Sequence, residues 1–145
     1  MYDPTTLPEI EAVGVYTFRD HIPSISGHNA EEQKLMLTDV TNFKVHDREF
    51  PVAKSIITRD FAATTVAHLW RQLPENQQMR CHFPAYGLRF VHSGRVILSA
   101  SLCWACNNIY ISTQEEDTVY MFDGRAPVSQ QLFTYLQEHL PYSPT

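Results

Sequence analysis

In DFAATTVAHLWRQLP (60–74) the apolar side chains Ala62, Val66, Leu69, Trp70 and Leu73 recur at steps of three and four, which gathers them on one face of a helix. Asp60 stands where a side chain can cap the first turn, and Pro74 stands where a helix must stop. The spacing predicts a helix over 61–73. A second stripe, Val128, Leu132, Phe133, Leu136 and Leu140, begins after Pro127 and ends before Pro141, which predicts a helix over 128–139. Its His139 suits the carboxyl pole of a helix and needs no catalytic explanation.

Between these helices the period changes to two. YGLRFV (86–91), RVILSASLC (95–103), IYIST (109–113) and TVYMF (118–122) are rich in β-branched and aromatic residues. Short turn-like segments separate them. In RVILSASLC Val96, Leu98, Ala100 and Leu102 share one face while Ile97, Ser99 and Ser101 share the other, the less apolar one. EAVGVYTF (11–18) and AKSIITR (53–59) predict one strand each, and the punctuation of 20–33 by proline, glycine and serine predicts a loop. The fold class expected is α+β. It is a single domain over 1–145, in which a four-strand antiparallel meander at about 86–122 packs against helices at 61–73 and 128–139.

A length of 145 residues suffices for a core without disulfide support and favours one domain. The net charge of −5, with basic residues scattered singly, argues against a nucleic-acid partner or an anionic membrane surface. No apolar run approaches the roughly 18 to 20 residues of a membrane span. Asp3, Glu9 and Glu11 lie where a signal peptide would be apolar, so a cytoplasmic location is expected.

The candidate chemistry lies in RCHFPAYGLRFVHSGRVILSASLCWACNN (80–108), which holds all three cysteines. If the strands alternate in direction, Cys81 and His82 before the first strand meet Cys103 and Cys106 around the turn after the second. The three sulfurs are therefore expected close together. Cys81, His82, Cys103 and Cys106 are the candidate metal ligands, for a structural Zn²⁺ held tetrahedrally by sulfur and nitrogen. C-x2-C at a turn supplies two ligands at a natural bite, and Asn107 tolerates the left-handed backbone such turns demand. Side chains of adjacent residues such as Cys81 and His82 do not readily both point inward, and His21, His28 or His46 could replace His82. Cys103 and Cys106 are alternatively a redox pair, although the segment after Cys106 reads as a strand rather than the helix start that activates such thiols. The third reading is that the cysteines are small core hydrophobes.

No phosphate loop, dinucleotide fingerprint, nucleophile elbow or HExxH motif is present, and Asn107 stands where covalent haem attachment needs histidine. A triad of Cys81, His82 and Asp123 fails because adjacent Cys and His lack the arrangement of nucleophile and base. No catalytic residue is assigned. The order CH-x-P, G-L-R-F and C-W-x-C-N-N, followed by a terminal amphipathic helix, resembles an uncharacterised family of small bacterial proteins over about 80–141. The resemblance implies that the cysteine stretch is a family signature, with no activity to carry over. The function expected is a non-enzymatic protein-interaction module, an inhibitor or immunity-type partner of another protein. The alternative is a zinc-binding or thiol/disulfide regulatory protein.

Overall fold

The computed structural model describes residues 2–20, 24–25, 41–77 and 81–142. Strands β1 (Ala12–Phe18), β2 (Ser24–Ile25), β3 (Asn42–Val45) and β4 (Arg48–Arg59) precede helix α1 (Asp60–Arg71). Strands β5 (Tyr86–His92), β6 (Arg95–Cys103), β7 (Asn108–Thr113) and β8 (Asp117–Met121) follow, and helix α2 (Pro127–His139) closes the series. The expected loop at 20–33 lies mostly outside the described residues, apart from Ser24–Ile25, which pairs with β4. Among the described residues no helix is long and apolar enough to cross a membrane.

The strands form one antiparallel sheet in the order β2-β4-β1-β5-β6-β7-β8, with β3 pairing to β4 off that path. A four-strand meander packed against helices is therefore not the fold. β5 to β8 are one part of a wider curled sheet, because β1 pairs with β5 on one side and β4 on the other. The physical reason is range: Val15 opposes Leu88, and no short turn in the sequence announces a pairing over that separation. All seven residues of β1 are buried, so its two faces are equally hidden and its alternation tells little.

Two layers cover the sheet. On one face Val13, Val15, Leu88, Phe90, Leu98 and Ala100 join Val66 and Trp70 of α1 and Leu132 and Leu136 of α2 in the main core. The opposite face carries an aromatic cluster of Tyr16, Phe18, Phe43 and Phe50. The β3–β4 hairpin folds over that face towards β6 and β7. Gly87 makes room for it, since a Cβ there would lie 2.8 to 2.9 Å from the rings of Phe18 and Phe43. The less apolar face of β6 is consequently not solvated: Ser99 and Ser101 are buried, as are Arg89, Asn108 and Ser112. Arg89 lies against the rings of Tyr16 and Phe43, 4.6 and 4.7 Å from their centroids, and donates to the Asn42 carbonyl. Aromatic faces and a main-chain acceptor are what allow a guanidinium to be buried.

Local signals explain the connections. His92 opposes Arg95 across a two-residue turn whose Ser93 and Gly94 have φ of 50° and 79°, as such hairpins require. β4 runs into α1 without a loop, and Asp60 makes the corner with φ of 53°. Asp60 is thus the first helical residue, and the N-cap position belongs to Arg59, which makes no side-chain cap hydrogen bond.

Candidate functional site

The turn between β6 and β7 brings the cysteines together. Asn107 adopts φ of 53° just after Cys106 and reverses the chain so that Cys103 opposes Asn108. The turn is pinned from the far side, because Phe122 and Gly124 donate their N–H groups to the main-chain and side-chain oxygens of Asn107. Cys81, approaching β5 from the other side, bonds to Cys106 with S–S 2.06 Å and Cα atoms 5.6 Å apart. Cys103 is a free thiol with 1% of its surface exposed. Its sulfur accepts the N–H of Cys106 at 3.2 Å.

The expected convergence of Cys81, Cys103 and Cys106 is therefore present, but the bonded pair is Cys81–Cys106 and not the Cys103–Cys106 redox pair. The C-x2-C turn directs its two sulfurs to different partners. Burial pushes the Cys103 thiol above its ordinary pKa, opposed by the N–H groups of Phe83, Cys106 and Ala105 directed at the sulfur.

His82 is drawn into a different set of contacts. Asn108 donates its amide N–H to the Cys81 carbonyl at 2.6 Å, which leaves its oxygen to accept from His82 Nδ1 at 2.6 Å. The proton therefore sits on Nδ1, and Nε2 accepts from the Ser101 hydroxyl at 2.8 Å. Both ring nitrogens are engaged, so the ligand set Cys81, His82, Cys103 and Cys106 is not assembled. Among the described residues no three His, Cys, Asp or Glu side chains form a metal-holding group. Burial, assisted by the nearby His46 and Arg48 and resisted by the Asn108 hydrogen bond, pushes the His82 pKa down to about 4. The imidazole is neutral at pH 7.

The phenol ring of Tyr110 stacks on His82 at 3.7 Å and on His46 at 4.8 Å, with planes within 6° in each case. His46 occupies the β3–β4 turn with φ of 55°. Its Nε2 lies 2.8 Å from the Thr118 carbonyl and its N–H donates to Ser112 Oγ, which donates in turn to Asp117. These contacts lock the hairpin onto β7 and β8. His46 is thus not a substitute ligand beside the sulfurs. His21 and His28 lie outside the described residues.

Ser101, His82 and Asn108 have the hydrogen-bond order of a hydrolytic triad. Ser101, however, is fully buried on a central strand between Gly87 and Tyr110. A substrate has no path to a hydroxyl so placed, and the string acts as a closed polar ladder that fixes the 81–83 segment to β6 and β7. Sequence reasoning missed it because Ser101 and Asn108 lie on different strands, 19 and 26 residues from His82; the only signal was the polarity of the Ser99 and Ser101 face. The triad of Cys81, His82 and Asp123 is likewise not formed, since Cys81 is bonded and the Asp123 carboxylate accepts from the Arg125 N–H. No protein-family description, curated protein or solved structure matches the chain.

Proposed function

We propose that the chain is a non-enzymatic protein-interaction module whose anchor is Phe83. The observation that carries this reading is that Phe83 is 56% exposed although the backbone on both sides of it is held. Cys81 is bonded to Cys106, His82 is hydrogen-bonded through both nitrogens, and the Ala85 N–H donates to the Leu102 carbonyl. A large aromatic ring presented by a fixed backbone loses little conformational entropy on docking, which is how interface hot spots gain their affinity. The partner it fits offers an apolar pocket, and the net charge of −5 favours a basic rim around it. An inhibitor or immunity-type role is the finer form of this reading.

The test is photo-crosslinking with benzoylphenylalanine placed at position 83 and, as control, at position 61, where Phe61 is 80% exposed on α1. A discrete crosslinked protein is expected from position 83 alone, with Phe83→Ala weakening its binding at least about tenfold. Equal crosslinking from both positions, or undiminished binding by Phe83→Ala, overturns the reading. A cysteine-based regulatory role is the second reading, and the free thiol of Cys103 beside the bonded pair is what favours it.

A further inference from the structure

We propose that the cavity walled by Tyr2 and Tyr120 binds an alkylammonium group, that of a free polyamine or of a lysine side chain on another molecule. The cavity measures about 330 Å³, at the lower end of small-molecule sites, and Asp3, Pro4 and Glu75 complete its lining. Three separate parts of the chain build it. Tyr2 and Asp3 precede the single 3-10 turn Pro4–Thr6, Glu75 follows α1, and Tyr120 lies on β8. Hydrogen bonds fix these parts. Trp70 Nε1 donates to the Tyr2 hydroxyl at 3.0 Å, and the Tyr120 hydroxyl donates to the Leu73 carbonyl at 2.7 Å. The backbone of Glu75 is bridged to Phe122, and the next N–H, that of Asn76, donates to the Met121 carbonyl.

The chemistry of the lining selects a cation. The rings of Tyr2 and Tyr120 stand 6.0 Å apart between centroids and 71° apart in plane, which makes an aromatic corner, and ring quadrupoles attract an ammonium. Asp3 Oδ1 accepts from the hydroxyl and the N–H of Thr5, which leaves Oδ2 for a ligand and holds the carboxyl below its ordinary pKa. Neither Asp3 nor Glu75 has an ion-pair partner among the described residues. The Arg71 guanidinium, whose charge reaches Tyr2, is turned to the Leu7 and Pro8 carbonyls. Burial, and then the charges of Glu75 and Asp3, push the Tyr120 phenol above its ordinary pKa, so both carboxylates act on the same ring. Two uncompensated carboxylates beside two aromatic walls suit an ammonium on an alkyl stem: oxygens for its N–H donors, rings for its charge and methylenes. An anion would be repelled, and a hydrated metal ion would leave the apolar walls unused.

The test follows the indole N–H resonances of the full chain by NMR while n-butylammonium is added. Trp70 Nε1 touches the Tyr2 hydroxyl and reports on the cavity, whereas Trp104 Nε1, bonded to the Ser129 carbonyl, is the internal control. The Trp70 signal is expected to shift and to saturate by about 10 mM, with the Trp104 signal unmoved. Neutral 1-butanol should leave both in place, and added salt should weaken the binding. Asp3→Asn with Glu75→Gln, which keeps the shape and removes both charges, should weaken it at least about fivefold. Spermidine and Nα-acetyl-lysine methylamide distinguish the sources: tighter binding of the first assigns the site to a free polyamine, of the second to a lysine side chain. No saturable shift of Trp70, an equal response to 1-butanol, an equal shift of Trp104, or undiminished binding by the double variant overturns the proposal.

Discussion

The imidazole of His82 lies flat on the ring of Tyr110, 3.7 Å between centroids and 5° between planes. Tyr110 opposes Ser101 across β6 and β7, so the strand pairing that presents the ring also presents the hydroxyl bonded to the histidine. One face and both nitrogens of His82 are thereby removed from water, and this sets its protonation.

The His82 pKa of about 4 lies below the ordinary histidine value of 6.5. Between the two values the unfolded chain binds a proton that the folded chain does not, so stability rises with pH in that window. The contribution is fully present above pH 6.5 and falls by up to about 3 kcal/mol as the pH drops to 4. Urea unfolding at several pH values is expected to show this loss in the native chain and not in His82→Asn.

Opening the Cys81–Cys106 bond frees a loop spanning 25 residues of sequence. Loop-closure entropy assigns it about 3 to 4 kcal/mol. Reduced protein should unfold at correspondingly lower urea than the oxidised protein.

At Gly124 a Cβ would collide with the Trp104 carbonyl oxygen and lie 3.0 Å from Asn107 Oδ1. The nearer neighbour is backbone of the cysteine turn and has no rotamer to escape into. Gly124→Ala is expected to cost about 1 to 3 kcal/mol, seen as a lower melting temperature. An unchanged temperature would show that the turn yields freely.

Leu132 is fully buried where α2 meets the main core. Truncation to alanine should destabilise the protein by about 2 to 5 kcal/mol in a denaturant titration. A value near zero would mean that the α2 stripe is not part of the folding core.

Much of the local structure was legible because it follows from period and punctuation. The stripes from Val66 to Trp70 and from Val128 to Leu136 mark α1 and α2, and the alternation of 86–121 with its turns marks β5 to β8. The meeting of the three cysteines at one sheet end also followed from alternating strand direction.

Tertiary structure alone decided how wide the sheet is, because a strand's own alternation does not say which strand lies beside it. β1 lies between β4 and β5 with both faces covered, and the covering of Ser99 and Ser101 comes from a hairpin remote in sequence. It also chose the sulfur pair. Three cysteines allow three pairings, and proximity along the chain favoured Cys103 with Cys106. The turn at Asn107 instead sends the Cys106 sulfur to Cys81 and surrounds that of Cys103 with main-chain N–H groups. His82, next to Cys81 in sequence, was drawn to Asn108 and Ser101 because a partly buried imidazole whose nitrogens face the protein must find partners for both, and β6 and β7 supply them.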